Sequence, residues 1–240
     1  MRNPRMRTIS FSGIDGAGKS TQIERLCSSL QKIGLSVRMV CFWDHVATLT
    51  RFRETAGHAV FGGDTGVGTP SAPICRRDKN VRSWIVTTIR LFLYSLDAIS
   101  LRMLIKRAQN SGADLLIFDR FIYDELANLE LHRWMMRAYA RAIVRLVPKP
   151  DISCLLDADP VAARARKPEY PLEFLDFNRK SYLALSNLVC SFQVIAPMTV
   201  DDVEQEVLQL AINALSLVPA QNVEALGAQA SFVGRPQPKE

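Results

Sequence analysis

One eight-residue motif limits what this chain can fold into. Residues 13–20 read G-I-D-G-A-G-K-S and match the phosphate-loop pattern G-x-x-x-x-G-K-[ST] at every fixed position. An apolar run at residues 7–12 precedes the motif and predicts a strand, and an amphipathic helix is predicted over residues 19–33. Glycines let successive N–H groups point inward at phosphate oxygens, and the helix adds its positive N-terminal end. Because strand and helix flank the motif, it indicates a site for a nucleoside triphosphate with Mg²⁺ rather than a chance glycine-rich turn.

The chemistry of the motif assigns roles to its side chains. The Lys19 ammonium, a predicted catalytic group, can reach the β- and γ-phosphates, and the Ser20 hydroxyl can ligate Mg²⁺. The predicted ATP-binding residues are Gly13, Ile14, Asp15, Gly16, Ala17, Gly18, Lys19, Ser20 and Thr21. GTPases need a guanine-reading N-K-x-D tetrapeptide, which does not occur here, and large ATPases need further modules that we do not expect in 240 residues. A small kinase is therefore the leading class.

The rest of the chain alternates apolar runs with segments of helical periodicity. Strands are predicted at residues 37–42, 115–118, 152–156 and 192–195, and helices at 81–110, 123–147, 172–190 and 200–217. This alternation predicts an α/β fold of the P-loop NTPase class, with a parallel five-stranded sheet and helices on both faces. Residues 1–218 are expected to form a single kinase domain with a glycine-rich loop at 56–73, and residues 219–240 a disordered tail.

Charge and composition indicate which classes of ligand and environment suit the chain. The formal net charge is +6, and the arginines are scattered through helical segments, which favours a small polyphosphate ligand over nucleic acid. No stretch approaches the ~20 apolar residues of a membrane helix, so no membrane association is expected. The five cysteines lie far apart without a C-x-x-C pair, which is typical of a cytoplasmic protein with reduced thiols.

A pair of charged residues follows the apolar strand predicted at 115–118. Asp119 and Arg120 stand where that strand ends, and in a parallel sheet this end faces the same crevice as the phosphate loop. Asp119 can hold Mg²⁺ through water, and Arg120 can bind a phosphate with two parallel hydrogen bonds. The alternative interpretation is an Asp that caps the next helix beside a surface Arg.

Four blocks of the sequence resemble the thymidylate kinase family of nucleoside monophosphate kinases. Residues 11–22 resemble the opening motif of that family, residues 119–121 its D-R-[YH], residues 150–160 its P-D-x-x-x-x-L-D-x-x-P, and residues 177–185 the helix after its lid. The resemblance implies transfer of the ATP γ-phosphoryl group to a nucleoside monophosphate, with Mg²⁺ and a mobile lid around residues 160–172. It also suggests a homodimer.

The same resemblance implies roles for individual residues. Asp15 matches the acid that approaches the sugar of the acceptor. Arg120 matches the arginine that holds the acceptor phosphate, and it is a catalytic candidate as well. Gly16 stands where some family members carry an arginine that stabilises the transferring group, and members with glycine there rely on basic lid residues. Arg164 and Arg166 are the matching catalytic candidates. The alternative for these two arginines is a solvated helix face.

The acceptor site departs from the pattern of the family. The ring that stacks on thymine falls on Tyr94, for which a core aromatic is the alternative, and the base-reading arginine falls on Ala98, which cannot donate a hydrogen bond to a base. Residues 42–45 replace the T-R-E-P-G-G loop of the family, and Arg53, in a partial echo of that loop, is a candidate for the acceptor phosphate. The resemblance gives dTMP as the default acceptor, and these departures favour the alternatives. The alternatives are another nucleotide, a non-nucleotide acceptor, or an ATP-binding module with little turnover.

Overall fold

Strands and helices alternate along the chain. The computed structural model describes residues 6–47, 84–110, 112–189 and 192–215; the predicted loop at 56–73, the predicted tail at 219–240 and Arg53 lie outside these residues. The strands are β1 (Arg7–Ser12), β2 (Val37–Cys41), β3 (Leu115–Asp119), β4 (Ile152–Leu156) and β5 (Phe192–Ile195). The helices are α1 (Lys19–Lys32), α2 (Phe42–His45), α3 (Trp84–Ala108), α4 (Ile122–Leu126), α5 (Trp134–Leu146), α6 (Pro160–Arg166), α7 (Leu172–Ser186) and α8 (Val200–Leu215).

The five strands form one parallel sheet in the order β2-β3-β1-β4-β5. β1 lies in the centre, where Phe11 pairs with Asp119 of β3 on one side and with Cys154 of β4 on the other. Parallel neighbours need long crossover connections, and the segments between the strands supply them. The predicted parallel sheet is confirmed, and the carboxyl ends of β1, β3 and β4 meet at one edge.

Helices cover both faces of the sheet because the strands bury apolar side chains on both faces. In β3, Leu115 and Ile117 belong to one hydrophobic cluster and Leu116 and Phe118 to the other, as the alternation of side chains along a strand requires. α1 and α8 contribute to the first cluster, and α3, α4, α5 and α7 to the second. Within the described ranges, no helix combines the length and the apolar character needed to cross a membrane.

The prediction of one continuous helix over residues 123–147 is wrong, because the structure has two helices there. Turns at residues 127–133 separate α4 from α5. Leu129 and Leu131 are both buried in this connection, at 4% and 8% exposed. Side chains two residues apart point about 200° away from each other on a helix, so a continuous helix would leave one of them in solvent. Elsewhere α7 is shorter than predicted and ends at Ser186.

Candidate active site

The phosphate loop and the Asp119–Arg120 pair leave the sheet at the same edge, as the sequence predicts. Phe11 of β1 lies beside Asp119 of β3, and the Arg120 amide donates a hydrogen bond to the Phe11 carbonyl oxygen at 3.1 Å. The loop begins at Gly13, directly after β1. Ligands of parallel sheets bind outside the carboxyl ends of such strands. The structure therefore brings together the two segments that the sequence assigns to phosphate binding.

Two glycines of the loop lie against the backbone of neighbouring segments. A Cβ atom at Gly13, where φ is 145°, would lie 2.5 Å from the carbonyl oxygen of Leu156 at the end of β4. A Cβ atom at Gly16, where φ is 83°, would lie 2.3 Å from the carbonyl oxygen of Ala163 in α6. Both distances are too short for a real side chain, and both φ angles favour glycine. The loop is thus packed against β4 and α6, which leaves no room for an arginine at position 16.

Lys19 places its ammonium group inside the loop. The side chain is buried, and Nζ donates hydrogen bonds to the carbonyl oxygens of Gly13 and Ile14, both at 2.9 Å. Burial, and after it the positive charge of Arg120, lowers the pKa of Lys19 from 10.5 to about 8, although nearby carboxylates act in the opposite direction. The loop therefore holds a desolvated cation, which the negative charge of a polyphosphate would stabilise.

Arg120 and Asp15 form an ion pair between the end of β3 and the phosphate loop. Their side chains are 25% and 18% exposed. Burial lowers the pKa of Arg120, but Asp15, Asp124, Tyr182 and Asp119 together outweigh burial and raise it above its ordinary value. The guanidinium is therefore always charged. The two residues to which the resemblance gives acceptor roles are in direct contact, and their binding of an acceptor stays a prediction.

Asp119 is the last residue of β3, and it does not cap the following helix. α4 begins at Ile122, and Phe121 is at its N-cap position, so the alternative of a capping Asp is wrong. Asp119 is half-buried and Ser20 is exposed. Carboxylate and hydroxyl oxygens suit Mg²⁺, which takes few protein ligands and completes its shell with phosphate oxygens and water. The two residues thus fit a metal that binds with a triphosphate, and their assignment as ligands stays a prediction.

No other metal site is evident in the part of the chain that the structure describes. Those residues hold no group of three or more His, Cys, Asp or Glu side chains that could bind a metal ion. The described cysteines, Cys27, Cys41 and Cys154, are free thiols.

The predicted lid contains α6 and the connection to α7. Arg164 is half-buried, and Arg166 is exposed, with its Nε donating to the carbonyl oxygen of Ala162 at 3.3 Å. Ala163, in the same helix and next to Arg164, places its carbonyl oxygen against Gly16 of the phosphate loop. The two arginines therefore belong to a helix that touches the phosphate loop. Their contact with a transferring phosphoryl group stays a prediction.

The predicted base-binding positions lie on α3. Tyr94 is 4% exposed and Ala98 is 0% exposed, and both belong to the hydrophobic cluster on that face of the sheet. Such burial is typical of the alternative in which Tyr94 is a core aromatic. Stacking of a base on Tyr94, like the acceptor role of Arg53, stays a prediction.

Sequence patterns do not reveal two sets of polar contacts beside the loop. Asp124 of α4 accepts hydrogen bonds from Ser12 Oγ and from the Tyr182 hydroxyl, both at 2.7 Å. Asp157, which follows β4, accepts two parallel hydrogen bonds from Arg179 of α7, both at 2.7 Å. An acid at the third position of a helix is a known signal for a bond back to the start of that helix. The bonds from Ser12, Tyr182 and Arg179 come from distant segments, so no local sequence pattern indicates them.

Comparison with known proteins finds relatives that are named thymidylate kinase or probable thymidylate kinase. A probable thymidylate kinase of Methanosphaera stadtmanae is 26% identical over 222 residues, which cover 87% of this chain and 99% of that protein. A probable thymidylate kinase of Methanobrevibacter smithii is 31% identical over 151 residues, 63% of this chain and 64% of that protein. A thymidylate kinase of Burkholderia mallei is 28% identical over 166 residues, 68% of this chain and 71% of that protein. No protein-family model matches the chain.

The relatives, the phosphate loop and the sheet agree with one another. The described segments have the α/β architecture of a P-loop nucleoside monophosphate kinase, with a parallel five-stranded sheet and helices on both faces. The identity to thymidylate kinases is modest but extends over most of the chain. Over most of its length, the chain is thus similar to proteins named thymidylate kinase.

Proposed function

We propose that this chain is an ATP-dependent nucleoside monophosphate kinase, with dTMP as the default acceptor. The observation that carries the proposal is the ion pair between Asp15 and Arg120, which joins the phosphate loop to the end of β3. Lys19 and the loop amides suit the triphosphate of a donor, and Arg120 suits the phosphate of an acceptor. Transfer of a phosphoryl group between two phosphorylated molecules requires that both be held close together, and two phosphate-binding elements at one edge of the sheet suit this requirement.

Phosphoryl transfer needs alignment and positive charge more than covalent help from the protein, because charge is spread over the moving group. Lys19 and the loop N–H groups hold the donor. Arg120 exchanges its partner Asp15 for the acceptor phosphate, and the released carboxylate of Asp15 can then accept a hydrogen bond from the acceptor sugar. Ser20 and Asp119 would hold Mg²⁺, which supplies positive charge to the phosphate oxygens.

The lid segment completes the site in this proposal. α6 already lies against the loop, since the Ala163 carbonyl oxygen leaves no room for a side chain at Gly16. Arg164 and Arg166 of the same helix add positive charge near the loop. Closure of this segment over both substrates would exclude water and so prevent hydrolysis of ATP.

The proposal is tested by a coupled assay of ADP release with ATP, Mg²⁺ and a panel of nucleoside monophosphates. We expect turnover, and dTMP is tested first because the relatives are named thymidylate kinases. Lys19→Ala should abolish transfer and leave the far-UV circular dichroism unchanged, since it removes the ammonium without altering the sheet. Near-normal turnover in Lys19→Ala would contradict the donor site. Tight ATP binding without any phosphorylated product would support the ATP-binding module instead.

A kinase for a different acceptor is the second candidate, and one residue favours it. Ala98 is fully buried at the position where the resemblance implies a base-reading arginine. A site without that donor loses the contact that would reject other bases, which can cost several orders of magnitude in discrimination. The same assay, extended to non-nucleotide alcohols and phosphates, decides between the candidates by the highest kcat/KM.

A further inference from the structure

Asp124 is a buried carboxylate that the mechanism above does not use. It is 5% exposed and lies in α4, which begins two residues after Arg120. Its Oδ2 accepts hydrogen bonds from Ser12 Oγ at 2.7 Å and from the Phe121 amide at 2.9 Å. Its Oδ1 accepts a hydrogen bond from the Tyr182 hydroxyl at 2.7 Å. One carboxylate therefore binds donors from three segments of the chain.

These three segments carry the candidate active site. Ser12 is the last residue of β1, immediately before the phosphate loop, and Phe121 follows Arg120. Tyr182 lies in α7, the helix after the predicted lid. Hydrogen bonds to an ionised acceptor are shorter and stronger than neutral ones. Asp124 is thus placed to fix the loop, the Arg120 turn and α7 relative to one another.

The contact beside Arg120 matters because that residue has a φ angle of 68°. A residue other than glycine keeps this conformation only where its surroundings hold it. The Arg120 amide donates to the Phe11 carbonyl oxygen at 3.1 Å, and the next amide, that of Phe121, donates to Asp124. The negative charge of Asp124 also attracts the Arg120 guanidinium. Asp124 therefore acts on both the backbone and the side chain of Arg120.

We infer that Asp124 is a positioning residue for phosphoryl transfer, which holds Arg120 at the acceptor phosphate and links it through Tyr182 to the helix after the lid. The inference rests on the proposed function and adds to it a group that acts through Arg120 without touching substrate. A residue that only stabilises the fold would change the amount of folded protein and leave kcat/KM per folded molecule unchanged.

Asp151 offers a matched control at the opposite end of β1. Its Oδ2 accepts hydrogen bonds from the Thr8 amide at 2.8 Å and the Thr8 hydroxyl at 2.9 Å, and its Oδ1 accepts one from Arg7 at 3.0 Å. Asp151 lies immediately before β4, at the amino end of the sheet. It therefore joins segments by the same number of hydrogen bonds, away from the phosphate loop.

The test compares Asp124→Asn with Asp151→Asn in the full chain. Each change keeps the shape of the side chain and replaces one acceptor oxygen by an NH₂ group that cannot accept a hydrogen bond. We expect Asp124→Asn to lower kcat/KM for the acceptor about 100-fold, the cost of misplacing a reacting group, with KM for ATP within about threefold because the donor contacts remain. Asp151→Asn should lower stability and leave kcat and both KM values unchanged.

Tyr182→Phe keeps the charge of Asp124 and removes one of its donors, so it carries the test if Asp124→Asn does not fold. It should lower kcat/KM for the acceptor about 10-fold, as for a lost hydrogen bond to a charged group. Equal kcat/KM values for Asp124→Asn and Asp151→Asn, per folded molecule, would overturn the inference.

If the wild-type protein phosphorylates no acceptor, the proposed function fails, and the crystal structure of Asp124→Asn still tests the positioning role. We expect Arg120 to shift in that variant, away from its φ angle of 68°, because the Phe121 amide loses a charged acceptor. An unchanged backbone and side chain of Arg120 would overturn the inference, whatever the activity.

Discussion

Replacement of Lys19 by Met removes a buried positive charge and keeps an apolar side chain of similar length. Lys19 is 6% exposed, and its pKa of about 8 lies below the ordinary value of 10.5 because burial, and then Arg120, disfavours the charged form. The folded protein therefore keeps this ammonium charged at neutral pH at a cost in stability. We expect Lys19→Met to stabilise the protein without nucleotide and, at the same time, to abolish ATP binding.

The size of the effect follows from the pKa. A fall from 10.5 to about 8 corresponds to about 3 kcal/mol at 1.36 kcal/mol per pKa unit. The variant also loses two hydrogen bonds to the carbonyl oxygens of Gly13 and Ile14, each with a net contribution of about 0.5–1.5 kcal/mol. The remaining stabilisation is about 1 kcal/mol, which raises the Tm by about 2–4 °C in a domain of this size.

The dependence on pH distinguishes this cause from better packing of Met. The pKa of Lys19 is lower in the folded state than in the unfolded state, so the unfolded state binds the proton more tightly. The cost is fully present below about pH 8 and disappears as the pH rises from about 8 to 10.5. The stability advantage of Lys19→Met should therefore shrink across that range.

The assay is urea unfolding of both proteins at pH 7, 8.5 and 10, without nucleotide and with a reducing agent. Lys32, exposed at the end of the same helix, provides the matched control. Lys32→Met should shift the midpoint little at any pH, because its ammonium is already in water. A Lys19→Met protein that is less stable than the wild type at pH 7, or an advantage that does not change with pH, would refute the reasoning.

Three further predictions concern the loop, the lid and a buried thiol. Gly16→Ala should destabilise the protein by about 1–3 kcal/mol in urea unfolding, since its Cβ would lie 2.3 Å from the Ala163 carbonyl oxygen at a φ of 83°; an unchanged midpoint would contradict this packing. Arg166→Ala should lower kcat more than the KM of the acceptor in steady-state kinetics, and an effect on KM alone would exclude its lid role. Burial raises the pKa of Cys154 to about 12. Iodoacetamide at pH 8 should therefore label Cys154 only after unfolding, as read by mass spectrometry, and rapid labelling of the native protein would contradict its burial.

The sheet and the phosphate loop could be predicted because their signals are local. A continuous apolar run at residues 115–118 is typical of a strand buried on both faces, and all four of these side chains are 0% exposed. The glycine-rich motif has fixed spacing, and its packing requires glycine at positions 13 and 16. In a parallel sheet Asp119 and Arg120 must lie at the same edge as the loop, and the pairing of β3 with β1 then places them beside it.

The structure differs from prediction where distant segments decide the outcome. Residues 123–147 have helical periodicity as a whole, yet the burial of both Leu129 and Leu131 against the core breaks the helix. Asp124 has no local signal for its bonds to Ser12 and Tyr182, because both partners come from other parts of the chain. Local patterns therefore predict which segments reach the site, and tertiary packing determines which side chains meet there.

The charges of the site predict that a triphosphate binds there only together with additional positive charge. The two cations Lys19 and Arg120 interact with the carboxylates of Asp15, Asp119 and Asp124, so these five groups carry one more formal negative charge than positive charge. A triphosphate adds several further negative charges to this set. Its binding therefore requires positive charge from elsewhere, which Mg²⁺ and the arginines of the lid would supply.

The Asp15–Arg120 ion pair also gives a reason why such a site would not waste its donor. While Arg120 is bound to Asp15, the carboxylate compensates the charge of the guanidinium, which is then less able to stabilise negative charge on a phosphoryl group. A water molecule has no charge with which to displace Asp15, whereas the phosphate of an acceptor can compete for the guanidinium with two parallel hydrogen bonds. Arg120 would therefore become available only when an acceptor is bound. Replacing Asp15 by Asn should free Arg120 permanently, so we expect this variant to hydrolyse ATP faster without acceptor than the wild type, measured as phosphate release. A background rate equal to that of the wild type would show that the ion pair does not gate the site.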